Sequence, residues 1–122
     1  MKEKSRTSEA CIAETHLHLT GEPPFPVKTA DSFSRRFLGL MGRREGDYGL
    51  FLTPCDAIHM MFMRFALDAV FVDADGVIVS IAAGVKPWGF AFGGKRARAV
   101  LELPASRSYG TRLQIGMKLP LW

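Results

Sequence analysis

The hydrophobic positions of this chain concentrate in one stretch, residues 58–73, with the sequence IHMMFMRFALDAVFVD. Only three polar residues interrupt it before Asp73 closes it, namely His59, Arg64 and Asp68. Because both alternate faces of the stretch are mostly apolar, strands formed here are expected to be buried on two sides. We therefore predict two core strands, at residues 57–63 and 67–72.

Shorter stretches on either side also have strand patterns. Residues 12–20 alternate between polar and apolar positions, and the motif GEPPFP that follows is expected to break the strand, because proline cannot donate to a ladder. The sequence Asp-Ala-Asp-Gly at residues 73–76 favours a tight turn between the core run and a returning strand. Further strands are predicted at residues 49–53, 77–85, 97–103 and 117–122.

One segment has a convincing helical pattern, the sequence DSFSRRFLGLMG at residues 31–42. Its apolar side chains fall three or four positions apart and form one face: Phe33, Phe37, Leu40 and Met41. We predict a short helix near residues 32–42 and a second near 106–113, which Gly110 weakens.

The order of these elements indicates a mainly β protein. Many short strands, with turns at intervals of about ten residues, are typical of a β-sandwich or a barrel. The length of 122 residues favours one domain, which we place at residues 11–122, after a flexible tail at residues 1–10.

Composition narrows the classes of function. The net charge of +4 is mild, and nucleic-acid binding is not expected, because it usually shows a denser stripe of lysine and arginine. No apolar run reaches the roughly 18 residues of a membrane span, so the cytoplasm is the expected compartment. The two cysteines, Cys11 and Cys55, are expected to be thiols there, since a disulfide framework needs more.

Four motifs occur in a characteristic order: RRFLGLMGR at residues 35–43, HMMFMRFALDAVFVDADG at 59–76, KPW at 86–88 and ARAVLELPA at 97–105. Together they resemble the domain of unknown function 192 family over residues 27–116. The resemblance implies a compact β-sandwich of jelly-roll type, with a short helix before the central strands, and no established activity. The chain departs from the family pattern at Ser106, where the family usually has glycine, and at Met117, where it usually has aspartate.

The polar residues of the core strands are candidates for acid–base chemistry. Arg64 could pair with Asp68 or with Glu102, and His59 could transfer a proton near neutral pH. We give this set as the catalytic alternative, an enzyme with an acid–base and anion-binding site at His59, Arg64, Asp68 and Glu102. The favoured interpretation is a structural polar network, because buried ion pairs commonly fix geometry without doing chemistry.

A metal site is a second alternative. His16 and His18 lie two positions apart, so a strand would place both on one face, with Glu22 following. A third ligand would be needed from elsewhere in the chain. The favoured interpretation is two solvent-facing histidines with no metal and no cofactor.

The segment at residues 86–94, which we call the aromatic loop, is the candidate binding site. Its glycines indicate a surface connection, and exposed aromatic side chains often mark binding surfaces. We therefore predict a small non-enzymatic binding or accessory module, with Lys86, Trp88 and Phe90 as its ligand-binding residues. The expected partner is a small ligand or a protein, and the expected oligomeric state is a monomer or a weak homodimer.

Overall fold

The computed structural model describes residues 13–30, 48–59 and 65–121, and these form a mainly β structure, as the sequence predicts. Two 3₁₀ turns, Ala105–Arg107 and Gly110–Arg112, follow the last strand. No described helix is long and apolar enough to cross a membrane. The described strands, in chain order, are β1 (Ala13–Leu17), β2 (Phe25–Ala30), β3 (Gly49–Leu52), β4 (Ala57–His59), β5 (Leu67–Val72), β6 (Ile78–Val85), β7 (Phe90–Phe92) and β8 (Ala99–Pro104).

The strands form two sheets of unequal size. The larger has six strands in the order β1-β2-β3-β8-β5-β6, in which β2 and β3 run parallel and every other neighbouring pair is antiparallel. The smaller sheet pairs β4 with β7. The mainly β class is thus confirmed, whereas the jelly-roll arrangement stays a prediction.

The pair β5–β8 lies in the interior of the large sheet, and every residue of these two strands is buried. Their register places Phe71 opposite Val100 on one face and Val70 opposite Leu101 on the other. The first face, which we call the small-sheet face, packs on the β4–β7 sheet. Its buried side chains are Leu50, Leu52, Cys55, Ile58, Leu67, Ala69, Phe71, Ala91, Ala97 and Val100.

The second face, which we call the C-terminal face, packs on the segment after β8. Tyr109, Leu113 and Leu119 from that segment join its core. The side chains of the sheet in this core are Leu17, Phe25, Val27, Val70, Val72, Ile78, Ala99, Leu101 and Leu103. The expectation that the run at residues 67–72 is buried on two sides is therefore correct.

Asp73 forms the turn between β5 and β6. Its Oδ1 accepts hydrogen bonds from the backbone N–H groups of Asp75 and Val77, at 2.9 and 3.0 Å. Gly76 supplies the positive φ of +81° that the turn needs and donates to the Asp73 carbonyl. The predicted turn at residues 73–76 is confirmed.

The predicted break after the first strand is correct for residues 21–24, but it ends earlier than predicted, because β2 begins at Phe25 and contains Pro26. The proline pairs with His16 of β1 at the start of the strand, and the pairing of β2 with β3 begins only at Val27. A proline is tolerated where a strand begins, since few ladder bonds depend on its missing N–H there.

Other predictions need correction near the C-terminus. The second predicted helix, at residues 106–113, is replaced by the two separate 3₁₀ turns, because Ser108 between them adopts a left-handed conformation with a φ of +58°. The predicted last strand is reduced to isolated bridges at Lys118 and Leu121. The predicted helix near residues 32–42, the end of the first core strand at 60–63, and the predicted tail at 1–10 lie outside the described residues.

The two sheets approach closely at Gly93, directly after β7. A Cβ added to this residue would clash with Cδ1 of Phe71 and would lie 2.7 Å from Cβ of Ala97. Only glycine therefore lets the small sheet reach the ring of Phe71, which is fully buried.

Gly93→Ala is expected to lower the free energy of unfolding by about 1–3 kcal/mol, because the added methyl overpacks the contact with Phe71. Urea denaturation of the variant would measure this loss. Phe71→Leu removes part of the ring that the added methyl would strike. The double variant should therefore lose less free energy of unfolding than the sum of the losses in the two single variants. Simple additivity would contradict the close approach.

The turn at Asp73 leads to a prediction about pH. The hydrogen bond from the Val77 N–H, followed by that from Asp75 and the charges of Arg96 and Lys118, holds the pKa of Asp73 below its usual value, against the opposing effect of burial. A depressed pKa in the folded state gives stability that is present at neutral pH and lost as the pH falls through that pKa.

Asp73→Asn keeps an oxygen acceptor but does not titrate, so it should lose less stability than the wild type on acidification from about pH 7 to about pH 3. Urea denaturation at both pH values measures the difference. Equal losses in the two proteins would show that this carboxylate does not stabilise the turn through its charge.

Candidate functional site

Asp68 lies in β5, where only 2% of the residue is exposed. The pairing of β5 with β6 shifts here, so that Asp68 faces a bulge between Ala82 and Val85. Gly84 in the bulge has a φ of +64°, and its N–H donates to Oδ1 of Asp68 at 2.8 Å. A bulge leaves a backbone donor without a ladder partner, and the carboxylate of Asp68 accepts this one.

The second 3₁₀ turn encloses the same carboxylate. A Cβ added to Gly110 would lie 2.5 Å from Cβ of Asp68 and 2.8 Å from its Oδ2. The turn thus packs its backbone directly against the side chain. Asp68 ties the bulge of β6 to the C-terminal segment, which is the structural role that the sequence favoured over chemistry.

Glu102 lies in β8 with 1% of its residue exposed, on the opposite face of the sheet. It pairs with Ala69 of β5 and Leu50 of β3, whereas Asp68 pairs with Leu103. Because neighbouring residues of a strand point to opposite faces, Glu102 belongs to the small-sheet face and Asp68 to the C-terminal face. The prediction that these two carboxylates could meet in one site is therefore wrong.

The other two members of the predicted catalytic set are His59 and Arg64. His59 ends β4, where its backbone pairs with Phe90. Arg64 lies outside the described residues, so the choice between Asp68 and Glu102 as its partner stays open. Of the predicted set, the structure therefore places the side chains of Asp68 and Glu102, which are both buried and lie on opposite faces of the large sheet.

The histidines of the predicted metal site lie close together at the end of β1. The ring centroids of His16 and His18 are 6.5 Å apart, and His16 is exposed. Glu22 instead forms an ion pair with Arg112, at 3.1 Å. No cluster of three metal-binding side chains occurs among residues 13–30, 48–59 and 65–121.

The first half of the aromatic loop is a tight turn. Lys86 and Pro87 open it, and the N–H of Gly89 donates to the carbonyl of Lys86 at 2.9 Å. Trp88 occupies the third position with a φ of +67°. Proline at the second position and a positive φ at the third are typical of a type II turn, in which the third residue is usually glycine. Here a tryptophan takes that place.

The second half of the loop is the strand β7, which the sequence did not reveal. Its three residues alternate, since Ala91 is buried in the core while Phe90 and Phe92 are 62% and 61% exposed. Trp88, two residues earlier, is 63% exposed. We call the exposed side chains of Trp88, Phe90 and Phe92 the aromatic face. The expected exposure of Trp88 and Phe90 is confirmed, and Phe92 joins them.

The surroundings of the aromatic face are basic. Residues 86–98 contain four cations and no acidic residue, and all four cations are exposed: Lys86, Lys95, Arg96 and Arg98. Arg96 lies 4.0 Å from Asp73, and Arg98 donates to the backbone carbonyls of Lys95 and Ala97. Exposed lysines, Lys86 and Lys95, therefore flank β7 on both sides in the chain.

The opposite placement of the two buried carboxylates can be tested by a double-mutant cycle. Asp68→Asn and Glu102→Gln should each lower the free energy of unfolding by about 1–3 kcal/mol, because each alters a buried polar group. We expect the two losses to add within about 0.5 kcal/mol in the double variant. Urea denaturation provides the values, and a much larger coupling would indicate that the carboxylates share one site after all.

Comparisons with known proteins agree with the fold. The chain is 31% identical to a UPF0127 protein of Pyrococcus furiosus over 98 residues, which are 76% of this chain and 84% of the relative. Two solved structures superpose with a TM-score of 0.70 at 24% identity, over 88% of this chain. One is a protein of unknown function from Novosphingobium aromaticivorans, covered over 83% of its length. The other, from Sinorhizobium meliloti and covered over 92%, is described as a candidate transcription regulator.

A family model also matches the chain. The DUF192 model, described as an uncharacterized ACR, matches residues 15–121, which includes every strand from β2 to β8. The chain therefore belongs to the DUF192 family, for which no specific function is known.

Proposed function

We propose that this protein is a non-enzymatic binding or accessory module that holds its ligand or partner on the aromatic face. The observation that supports this most directly is the conformation of Trp88, an exposed tryptophan at a positive φ. Lys86 stands at the start of the same turn and provides a charge beside the face.

The left-handed backbone conformation of Trp88 costs free energy. A residue with a side chain pays roughly 1–2 kcal/mol in the left-handed region, and glycine pays almost nothing. Core packing does not account for this choice, because most of the Trp88 surface is exposed. Backbone strain of this kind concentrates at functional sites, where the surrounding structure enforces it.

The exposure of three neighbouring aromatic residues supports the same conclusion. Each exposes more than half of its surface; Phe90 and Phe92 lie on one side of β7, and Trp88 belongs to the turn directly before it. Covering apolar surface gains roughly 25 cal/mol per Å². Tryptophan and other aromatic residues often dominate binding energy where they sit centrally in an interface. A partner that covers this face would gain that free energy.

The enzyme alternative has weaker support. Its acid–base set requires Asp68 and Glu102 to act together, and they lie on opposite faces of the large sheet. Each is also almost completely buried, so neither offers a carboxylate to a substrate from solvent. We assign no catalytic residue.

Cytoplasmic location and a monomeric or weakly dimeric state remain parts of the proposal. Cys55 agrees with a reducing compartment, since it is a buried thiol that donates to the Ala57 carbonyl at 3.0 Å. Native mass spectrometry of the untagged protein would report the oligomeric state and any bound ligand together.

Trp88→Gly and Trp88→Ala remove the same side chain, but only glycine relieves the positive φ. We expect Trp88→Gly to be more stable than Trp88→Ala by about 1 kcal/mol, as measured by urea denaturation. Both variants should lose binding to the same extent. If Trp88→Ala equals or exceeds Trp88→Gly in stability, the turn is not strained and the main support for the proposal is lost.

Capture from a cell lysate tests the aromatic face itself. Phe90→Ala and Phe92→Ala should each reduce the ligands or proteins retained by the immobilised wild type at least severalfold. Ile115→Ala is the matched control, because Ile115 is another apolar residue of which 66% is exposed, outside the aromatic face. Equal retention by the phenylalanine variants and the control would reject this face as the binding site.

A further inference from the structure

The hydrogen bonds of β7 have a definite direction. The register pairs Ala57 with Phe92, Ile58 with Ala91 and His59 with Phe90. One position further, the N–H of Gly93 donates to the carbonyl of Asp56 at 2.7 Å. Antiparallel pairs alternate between hydrogen-bonded and non-hydrogen-bonded, so the pair of Ala91 with Ile58 is bonded.

Phe90 and Phe92 consequently belong to non-hydrogen-bonded pairs. In such pairs the backbone N–H and C=O groups point away from the neighbouring strand. Both phenylalanines therefore present a donor and an acceptor at the edge of β7 that faces away from β4. Their exposed side chains stand beside the same edge.

That edge has no partner strand within the described part of the chain, where the small sheet consists of β4 and β7 alone. The outer edge of β4 differs, because the thiol of Cys55 already donates to the carbonyl of Ala57. An unpaired edge of this kind is a template for an added strand. The open edge of the small sheet thus coincides with the aromatic face.

The charges indicate what kind of strand fits. Lys86 lies before β7 and Lys95 after it, and both side chains are exposed, so a lysine flanks the strand on each side in the chain. A second copy of this chain, paired antiparallel through its own β7, would place cations against cations. Like charges placed opposite each other destabilise a sheet. An extended segment with acidic ends has the complementary charge.

We propose that the edge of β7 binds a partner protein by strand addition. The bound segment is short and extended, with apolar side chains at alternate positions and an acidic residue at each end. Its backbone pairs with the N–H and C=O groups of Phe90 and Phe92, and its apolar side chains rest on the aromatic face. Main-chain pairing with pockets for alternate side chains is an established mode of peptide recognition. This inference rests on the proposed function and specifies its partner.

Hydrogen exchange of the free protein, followed by NMR, tests the geometry before any ligand is added. The amides of Phe90 and Phe92 should exchange at least about tenfold faster than that of Ala91, which donates to β4. Slow exchange at Phe90 and Phe92 would mean that the edge is already covered, and would overturn the proposal. Mass spectrometry then shows whether a second copy of the chain covers it.

The binding probe is a synthetic peptide, EVTVTVE, with acetylated and amidated ends. It should bind the wild type and slow the exchange of the Phe90 and Phe92 amides at least about tenfold, without changing Ala91. Methylation of the peptide nitrogens on the edge that faces β7 should weaken binding at least about tenfold, because a methylated amide cannot donate. The peptide KVTVTVK should bind more weakly, and this difference should shrink at high salt.

Variants separate this proposal from the one on which it rests. Phe92→Ala removes a ring but keeps the backbone donor, whereas Phe92→Pro removes both. If strand addition is correct, Phe92→Pro binds EVTVTVE at least about tenfold more weakly than Phe92→Ala. Proline leaves the bonds to β4 intact, since the N–H of Phe92 points outward.

The remaining outcomes are also decisive. Equal binding of methylated and unmethylated peptides, lost on Phe92→Ala, would overturn strand addition and leave the aromatic face as the binding site. Binding that is unaffected by Phe90→Ala and Phe92→Ala would overturn both proposals. No binding of EVTVTVE to the wild type at about 1 mM peptide would overturn the acidic-peptide proposal alone.

Discussion

The structure depends on the register between β5 and β8. These strands are buried along their whole length, so each alternate position is committed to one of two separate cores. A shift of one residue would exchange the two faces and move Phe71 from the small-sheet core to the C-terminal core. It would also move Asp68 away from the packing contact with Gly110. The register is thus fixed by packing on both sides at once.

The two buried carboxylates follow from this constraint. Asp68 sits where the pairing with β6 shifts, and its bond to the N–H of Gly84 satisfies a donor that the bulge would otherwise leave unpaired. Glu102 is adjacent across the ladder but faces the other core. Two acidic residues in neighbouring central strands therefore have separate surroundings. The pairing of β5 with β8 brings their backbones close, and the alternation of side chains then directs the two carboxylates to opposite faces.

The sequence predicts some of these features and not others, for physical reasons. The strand at residues 67–72 is readable, because six successive buried positions leave a continuous apolar signal around Asp68. The turn at Asp73 is readable because its chemistry is local. The register of β8 cannot be read from the sequence. Either set of alternate residues in ARAVLEL could share a face of the sheet with either set of alternate residues in β5. The face on which Glu102 lies was therefore beyond reach from sequence alone.

The candidate site could be predicted only in part. Exposure of the aromatic side chains could be expected from the glycines around them, which indicate a surface segment. The strand β7 within that loop could not, because three residues are too short for an alternation pattern to show. The strand β2 was also missed, because it contains Pro26. Whether a strand tolerates this proline depends on where the pairing with β3 begins, which the sequence does not show.

The two sides of β7 are subject to different constraints, core packing on one side and exposure to solvent on the other. Gly93 lets the strand approach Phe71, and Ala91 is buried in the core, so the inward side is fixed by packing. The outward side presents two phenylalanines and an unpaired edge, which natural sheets generally protect with charge or short length. Here β7 is both short and flanked by cations, which limits pairing with another copy of itself. The same cations would favour the acidic strand that we propose as the partner over a second copy of this chain.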